Sequence, residues 1–441
     1  MNHPSTNRRE FLAVSAVATG AALAGGLSVA RTAHAAGSDV IKVALIGCGG
    51  RGNGAVNDCM NADPGVKVIA VADAFEDRAR GTAERLRKLG DRVDLPDQRV
   101  FVGLDAYQKA IAAGPDLVIL ATPPGFRPMT YAAAIRAGKH VFMEKPCCVD
   151  AAGYRLLMET NELAEKNGLK VGVGFQRRHT PERIETIARL HDGAIGDIVL
   201  LRVYWNGGGI WIRRRQEGQT EMQYQVMNWY HFCWLSGDNI CEQHVHNLDI
   251  GNWVMTKPGV HPKDAHPVEA NGMGACVQRY RGQNKGVGQI FDEHFVEFTY
   301  ADGTKMFSQC RHIPNTWGIV GEGAHGTKGT SNCANEITVG GEQWRAQAGK
   351  VNAMVQEHKD LIDAIREGKP YCEGWHGAAS SMTAVLGRMA TYSGKVVKWD
   401  DAVAKGTSEF PAELAWDAKA PVEQDENGDY PIPTPGIFQP Y

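Results

Sequence analysis

The chain has 441 residues, with 47 Lys and Arg against 50 Asp and Glu and a formal net charge of −3. This near-neutral balance gives no electrostatic reason to expect binding to nucleic acid or to a membrane surface, and it suits a small neutral or anionic metabolite. The 10 cysteines are scattered, only Cys147 and Cys148 are adjacent, and no C-x-x-C pair occurs. This pattern argues against a zinc ribbon and against a scaffold held together by disulfides.

Residues 1–36 are typical of an export signal. Arg8 and Arg9 precede a weakly hydrophobic run over residues 13–30, and Ala33-His34-Ala35 has the small-x-small pattern that a signal peptidase cleaves. The arrangement resembles a bacterial twin-arginine signal, which implies recognition by the twin-arginine export machinery, a periplasmic location and no stable membrane insertion after cleavage. A permanent membrane anchor and a Sec signal with a fortuitous arginine pair are the alternatives.

A glycine-rich turn directly follows a predicted buried strand over residues 40–46. A dinucleotide site needs one glycine for a tight turn, one for close approach of the backbone to a pyrophosphate, and one for helix packing. The helix that follows, predicted to start at about Asn53, would point its positive N-terminus at that anion. The candidate cofactor contacts in this stretch are Gly47, Gly49, Gly50, Arg51, Gly52 and Asn53.

The second predicted strand, over residues 66–72, ends in Asp73. The acid lies about 20 residues beyond the last glycine, at the distance where a carboxylate accepts both hydroxyls of a ribose. A carboxylate there would repel a 2′-phosphate, so NAD is favoured over NADP. Arg78 follows closely and keeps NADP open as the alternative.

Two further predicted strands, over residues 116–124 and 140–143, flank a predicted helix over residues 129–138. Ligands of open α/β sheets collect at the carboxyl ends of the strands. The residues at these two ends are therefore candidate cofactor contacts: Thr122, Pro123, Glu144 and Lys145. The amine of Lys145 can also hydrogen-bond a reacting hydroxyl, whereas the alternative is a solvated lysine before a proline turn.

The glycine turn and the tripeptide Glu144-Lys145-Pro146 together resemble the glucose-fructose oxidoreductase, inositol dehydrogenase and rhizopine-catabolism family, called Gfo/Idh/MocA. The resemblance, which extends to about residue 398, implies that Lys145 is catalytic and that Pro146, commonly cis in the family, positions it. It also implies a second-domain helix with the pattern Asp-x-Gly-x-His-x-hydrophobic-Asp. Residues 242–249 match this pattern with two departures, since Glu242 stands for the first acid and His244 for the glycine.

On a continuous helix, Glu242, His246 and Asp249 would share one face, because they recur at i, i+4 and i+7. We expect His246 to act as general base, with Glu242 completing the site, while Lys145 stabilises the developing alkoxide. A metal site built from Glu242, His244, His246 and His231 is the alternative. On a helix His244 and His246 point apart, so no metal is predicted, and His244 and Asp249 are expected to contact substrate.

A polar run follows a predicted strand that begins at residue 169. The family resemblance implies cofactor or substrate contacts here, so Gln176 is assigned to the cofactor and Arg177 and His179 to the substrate. The alternative is that the arginines cap a helix and pair with surface acids. Further along, a strand over residues 198–205 opens the second sheet, and two strands within residues 293–309 form a hairpin.

The stretch from Gly207 to Gly237 combines arginines with tryptophans and tyrosines. Such residues suit stacking and hydroxyl contacts with a sugar, and Trp229 is the candidate chosen here. Packing of a dimer or domain interface is an equal alternative. The tail over residues 425–441 is expected to lie as an arm over the body or over a neighbouring subunit.

The sequence thus predicts an α/β fold with an N-terminal doubly wound Rossmann sheet and a C-terminal α+β domain with an open, mainly antiparallel sheet. The predicted boundaries are 1–36 for the signal, 37–150 for the nucleotide domain, 151–398 for the substrate domain and 399–441 for an extension. The resemblance implies a homodimer or homotetramer.

The predicted function is NAD(P)-dependent hydride transfer on a sugar, sugar derivative or cyclic polyol. Because free NAD is scarce outside the cytosol, a tightly bound and internally recycled cofactor is expected. The alternatives are an NAD-dependent glycoside hydrolase that works by transient oxidation and elimination, and a non-catalytic sugar-binding protein on a Rossmann core.

Overall fold

The computed structural model describes residues 39–277, 286–347 and 349–441. The predicted export signal lies outside these ranges. Within them, no helix is both long and apolar enough to cross a lipid bilayer.

The first sheet of the described chain is parallel and has six strands in the order β3-β2-β1-β4-β5-β6. Its strands are β1 (Ile41–Ile46), β2 (Val66–Asp73), β3 (Val100–Val102), β4 (Leu117–Leu120), β5 (His140–Met143) and β6 (Val171–Val173). Because β1 pairs with β2 on one side and β4 on the other, the strand order reverses beside the glycine turn. The sixth strand comes from beyond the domain boundary predicted at residue 150.

Five helices connect these strands in the described chain: α1 (Gly50–Ala62), α2 (Glu76–Arg87), α3 (Ala106–Ala112), α4 (Arg127–Arg136) and α5 (Ala151–Lys166). Helix α1 begins before the predicted start at Asn53, because the last glycines of the turn are themselves helical. Helix α4 also begins before the predicted residue 129. Its Pro128 lies in the first turn, where a missing N–H costs no helical hydrogen bond.

The second sheet has nine described strands in the order β14-β13-β12-β11-β7-β10-β9-β8-β15. Its strands are β7 (Ile198–Gly207), β8 (Glu269–Ala275), β9 (Glu293–Thr299), β10 (Lys305–His312), β11 (Ile319–Gly326), β12 (Gly329–Ser331), β13 (Glu336–Val339), β14 (Glu342–Arg345) and β15 (Val397–Lys398). Only the β7–β10 pair is parallel among the described pairs, and β9 and β10 form the predicted hairpin. The sheet confirms the predicted fold class.

Eight helices of the described chain accompany this sheet: α6 (Pro181–His191), α7 (Glu221–Met227), α8 (Cys233–Ser236), α9 (Asn239–Glu242), α10 (Val245–Met255), α11 (Ala353–Glu367), α12 (Gly374–Ser393) and α13 (Trp399–Lys405). Helices α10 and α12 cover one face of the sheet, while α11 returns to pack against α1. The predicted continuous helix through residues 242–249 is wrong. Helix α9 ends at Glu242 and α10 starts at Val245, so Glu242 and His246 belong to different helices.

Candidate active site

The glycine turn between β1 and α1 is shaped by two kinds of glycine. Gly47 has φ +98°, and a Cβ there would lie 2.5 Å from the backbone of Ala121. A Cβ on Gly52 would lie 1.8 Å from the carbonyl oxygen of Gly47, so both positions exclude any side chain. In contrast, a Cβ on Gly49 or Gly50 would meet no atom within 4 Å. Gly47 and Gly52 therefore allow the close packing of the turn, whereas Gly49 and Gly50 face the open space of the pocket.

The N-terminus of α1 fits a pyrophosphate. Gly49 is the N-cap residue, makes no side-chain cap hydrogen bond, and is followed by no acidic residue in the first turn. The first N–H groups and the positive end of the helix dipole are thus left for an external anion. Asn53 has a different role from the predicted one, because it does not line the pocket. Its amide donates to the carbonyl of Cys48 and its oxygen accepts from Thr82, which fixes the turn.

Asp73, at the carboxyl end of β2, lies on the wall of the same pocket. Its Oδ2 accepts from the N–H of Cys48 at 2.7 Å and its Oδ1 from the N–H of Phe75 at 2.9 Å. Burial raises the pKa of this carboxyl, and the two backbone hydrogen bonds oppose that rise. The carboxylate is therefore held in a single orientation beside Arg78, which lines the pocket as well.

A second cavity, of about 320 Å³, adjoins the nucleotide pocket and has the size of a small-molecule site. The predicted site residues that line it are Arg51, Thr122, Glu144, Lys145, Gln176, Trp229, Glu242 and His246. Arg51, Thr122 and Trp229 line both pockets. The two spaces consequently meet at the carboxyl ends of β1 and β4, where a ligand in one can reach a ligand in the other.

Lys145 reaches into this cavity directly after β5. The peptide between Lys145 and Pro146 is cis. The lysine Nζ donates to the backbone oxygen of Glu242 and lies 3.2 Å from its Oε1. The acid that ends α9 therefore contacts the lysine, so that Lys145 is held over the cavity by a neighbour from the second domain.

His246 lies in the first turn of α10, with its ring between aromatic neighbours. The ring is nearly parallel to Trp205, with centroids 6.0 Å apart, and meets Phe175 edge-on. Burial holds the pKa of His246 well below its usual range, and the positive charges of Lys145 and Arg177 lower it further. Its Nδ1 has no hydrogen-bond partner in the described parts of the chain. The imidazole is therefore neutral at neutral pH, and its Nδ1 is left for a hydrogen bond with a ligand.

His244 and Asp249 do not line the cavity, which corrects their predicted contact with substrate. His244 is fully buried, its Nε2 lies 2.8 Å from the hydroxyl of Ser308, and burial lowers its pKa to about 3. Asp249 accepts hydrogen bonds at 2.8 and 2.9 Å from Arg178 and another from the hydroxyl of Ser380. Both residues point into the core behind His246, where they hold α10 in place.

The possible metal ligands around His246 do not converge either. The rings of His231 and His244 are each engaged with a different partner. His231 Nε2 lies 2.9 Å from the carbonyl oxygen of Trp211, and His244 Nε2 lies 2.8 Å from the hydroxyl of Ser308. Within the ranges that the structure describes, no group of three or more His, Cys, Asp or Glu is arranged to hold a metal ion.

Arg177 and His179 also lie outside the cavity lining, in contrast to Gln176. Arg177 pairs with the buried carboxylate of Glu322 on β11. His179 lies between two acids, with Nδ1 2.6 Å from Asp360 and Nε2 3.2 Å from Glu373. Burial lowers the pKa of His179, but these two acids outweigh it and raise the pKa to about 10. The polar run therefore joins the two domains behind the cavity.

Glu357 and Gln243 are among the cavity residues that were not identified from the sequence. Glu357, on α11, is 1% exposed, and its Oε1 lies 3.5 Å from Arg51, whose Nε also donates to Glu144. Burial raises the pKa of Glu357 well above its usual range, with the charge of Glu144 adding to the rise. Gln243 lies between α9 and α10, with its Oε1 3.0 Å from His312 Nε2. Glu357 belongs to no sequence motif, and Gln243 occupies a variable position of the motif at residues 242–249. Helix α11 reaches the site through its packing on α1, on residues 176–179 and on β6.

Residues 41–175 match the family model described as "Oxidoreductase family, NAD-binding Rossmann fold", that of Gfo/Idh/MocA. A "Glycosyl hydrolase family 109 protein" of Streptomyces coelicolor is 28% identical over 246 residues, which cover 51% of this chain and 49% of the relative. "Inositol 2-dehydrogenase 1" of Saccharopolyspora erythraea is 32% identical over 161 residues, 36% of this chain and 44% of the relative. The chain thus spans about half the length of these two curated relatives. An "Inositol 2-dehydrogenase" of Pseudomonas savastanoi is 25% identical over 81% of this chain and 96% of the relative.

Solved structures share the fold over most of the chain. An oxidoreductase from Thermotoga maritima has a TM-score of 0.62 at 19% identity and covers 82% of this chain and 99% of its own. Scyllo-inositol dehydrogenase from Lactobacillus casei, solved with NAD(H) and scyllo-inositol, has a TM-score of 0.59 at 18% identity, covering 82% of this chain and 99% of its own. Residues 41–175 are thus similar to the NAD-binding Rossmann fold of the Gfo/Idh/MocA oxidoreductases, and the solved structures share the fold of most of the chain.

Proposed function

We propose that this protein is an NAD-dependent oxidoreductase that transfers a hydride from a CH–OH group of a sugar, a sugar derivative or a cyclic polyol. The observation that carries the proposal is the meeting of Lys145, Glu242 and His246 in one cavity that shares a wall with the nucleotide pocket. The similarity to inositol dehydrogenases supports the same class of reaction.

The nucleotide pocket supplies the groups that NAD requires. The backbone at Gly49 and Gly50 and the N-terminus of α1 would hold the pyrophosphate, and the Asp73 carboxylate would accept the ribose hydroxyls. Because this carboxylate disfavours a 2′-phosphate, NAD is preferred over NADP. When bound, NAD supplies the acceptor for the hydride.

Lys145 and His246 have different roles at the substrate hydroxyl. The neutral imidazole of His246 takes the hydroxyl proton, and the Lys145 ammonium hydrogen-bonds the same oxygen as negative charge develops on it. Glu242 positions Lys145 through their 3.2 Å contact. The rings of Trp205 and Trp229 give the cavity apolar surfaces against which the C–H faces of a sugar or polyol can pack.

The site, together with the twin-arginine pattern of the sequence, supports a cofactor that stays bound and is recycled within each catalytic cycle. An exported enzyme of this type, working in the periplasm as a homodimer or homotetramer, has little free NAD to draw on. Oxidation of one sugar would then be followed by reduction of a second.

The named glycosyl hydrolase relative favours a second candidate function. Transient oxidation at one carbon would acidify its neighbour and permit elimination of a glycosidic bond before the hydride returns. His246 would act as the base in the oxidation step of either reaction.

Turnover of neutral polyols, hexoses and aryl glycosides by the wild type and by Lys145→Ala and His246→Ala separates these functions. Net formation of a ketone or lactone, lost in both variants, supports the oxidoreductase. Release of an aryl alcohol without net oxidation supports the glycosidase. Full activity in both variants would overturn the site assignment.

A further inference from the structure

Residues 220–235 are here called the cover segment, and residues 406–441 are here called the tail. Trp229 of the cover segment lines both pockets, whereas no tail residue lines either one. The two parts pack together in one apolar cluster that contains Trp234 and Tyr430 from these parts, and Phe126 from the nucleotide domain. Phe75 and Leu104 pack against the same cluster. Phe75, Leu104 and Phe126 also line the nucleotide pocket, so the cluster lies directly behind the pocket wall.

Two tail aromatics contact this wall. The Trp416 ring lies 5.4 Å from the ring of Phe75, and the Phe410 ring meets Phe126 edge-on at 5.4 Å. Phe75 in turn donates its N–H to the Asp73 carboxylate, which is the proposed ribose contact. A displacement of Trp416 would therefore change the packing of Phe75, which itself lines the nucleotide pocket.

Hydrogen bonds anchor the tail at Trp416 and at two positions beyond it. The hydroxyl of Thr220 donates to the Trp416 carbonyl at 2.6 Å, and the Gln225 amide donates to the Val422 carbonyl at 2.5 Å. Gln225 is fully buried and also accepts from the indole N–H of Trp234. The Tyr430 hydroxyl donates to Glu221 at the start of α7. The cover segment thus fixes the tail against the pocket wall.

We propose that the tail is part of the cofactor site and that Trp416 is a positioning residue that slows the dissociation of NAD by holding Phe75 in the pocket wall. The proposal rests on the function proposed above, in which NAD binds in this pocket. The cover segment contributes Val226 and Trp229 to the same pocket, so cover segment and tail act together.

Full-length Trp416→Ala tests this inference. The wild type and the variant are loaded with NADH and mixed with excess NAD in a stopped-flow instrument, and the loss of bound NADH fluorescence gives the dissociation rate. Loss of one aromatic contact and its packing predicts a dissociation rate roughly tenfold faster. Trp416→Phe is expected to restore slow dissociation. Trp317→Ala, at a tryptophan that is 62% exposed, is the matched control and keeps the wild-type rate.

Phe410→Leu, which keeps an apolar side chain beside Phe126, provides a second measurement should Trp416→Ala fail to fold, and it too is expected to accelerate dissociation. Unchanged dissociation rates in the folded tail variants would overturn the role of the tail and leave the proposed function intact. A wild-type protein that binds no NADH would overturn both. An equal acceleration in Trp317→Ala would also contradict the inference, since that residue lies in the connection between β10 and β11 and packs on Tyr204.

Discussion

The two walls of the candidate site are built in different ways. The nucleotide wall takes its key groups from short contiguous stretches, in which the glycine turn and Asp73 follow strands that pair in the same sheet. The opposite wall is assembled from residues that are far apart in the sequence. Glu242 contacts Lys145, which is 97 residues away, and Glu357 contacts Arg51, which is 306 residues away. Backbone groups thus dominate the first wall, and paired side chains dominate the second.

The difference matters for the ligand that each wall can hold. The nucleotide wall leaves helix N–H groups without a side-chain cap, which suits an anion. In the second cavity, Lys145 and Arg51 already contact carboxylates of the chain. A ligand there gains hydrogen bonds more readily than a new ion pair, which suits hydroxyl groups. The comparison predicts that changes to the two walls separate binding of the cofactor from chemistry on the substrate.

Removal of Lys145 or His246 is expected to have the largest effect. Lys145→Ala or His246→Ala should lower kcat by about 10²–10⁴-fold, because each removes a proton-handling or charge-stabilising group. Bound NAD should stay at the wild-type level, as measured by release on denaturation. Loss of the nucleotide in either variant would mean that the two walls are not separable.

Asp249→Asn tests whether the residues behind the cavity are structural. The variant breaks a buried pair with Arg178 and should lower the free energy of unfolding by about 3 kcal/mol, measured by urea titration. KM for substrate should be unchanged. Asp363→Asn, in an exposed pair with Lys359, is the control and should change stability by less than about 1 kcal/mol. A large rise in KM without a loss of stability would instead support the predicted contact between Asp249 and the substrate.

Asp73→Ala should weaken NAD binding by about 10- to 100-fold, because the loss of hydrogen bonds to a charged acceptor typically costs about 1.5–3 kcal/mol. NADP binding should weaken less, since the variant also removes repulsion of the 2′-phosphate. The two dissociation constants, measured by titration calorimetry, check this expectation. An unchanged preference between NAD and NADP would refute the role of Asp73 in recognition of the ribose.

The buried neutral histidines predict sensitivity to acid. The pKa of His244 is lowered to about 3 in the folded state, so the unfolded state binds one more proton once the pH falls below about 6.5. Stability should therefore decrease as the pH falls from 6.5 towards 4, by up to about 1.4 kcal/mol per pH unit for this residue. In His244→Asn, the decrease of the unfolding free energy with falling pH should be less steep, because one proton-binding group has been removed.

The sequence predicts the first wall well because its signals are local. β5 has the predicted bounds, and β1 and β2 differ from theirs by one residue. Gly47 and Gly52 were predicted as cofactor contacts, whereas the structure leaves no room for a side chain at either position, so that both serve the packing of the turn. The catalytic roles of Lys145, Glu242 and His246 stay predictions, although the three residues do meet in one cavity.

The second wall was harder to predict for two physical reasons. The spacing of Glu242, His246 and Asp249 suggests one helical face, but the break between α9 and α10 reorients Glu242 towards Lys145. Charged residues such as Arg177 and His179 follow a strand end, yet ion pairs with distant acids withdraw them from the cavity. Such partners depend on the register of the complete fold, which local patterns do not encode.

The most direct test of the central claim uses protein purified without added cofactor. Its absorbance near 340 nm and the nucleotide released on denaturation are measured before and after incubation with neutral polyols and sugars, one at a time and in pairs. The account predicts bound NAD that is reduced by one polyol or sugar and reoxidised by a second, with no reduction in His246→Ala. Protein that neither contains NAD nor reduces added NAD with any member of the panel would contradict it.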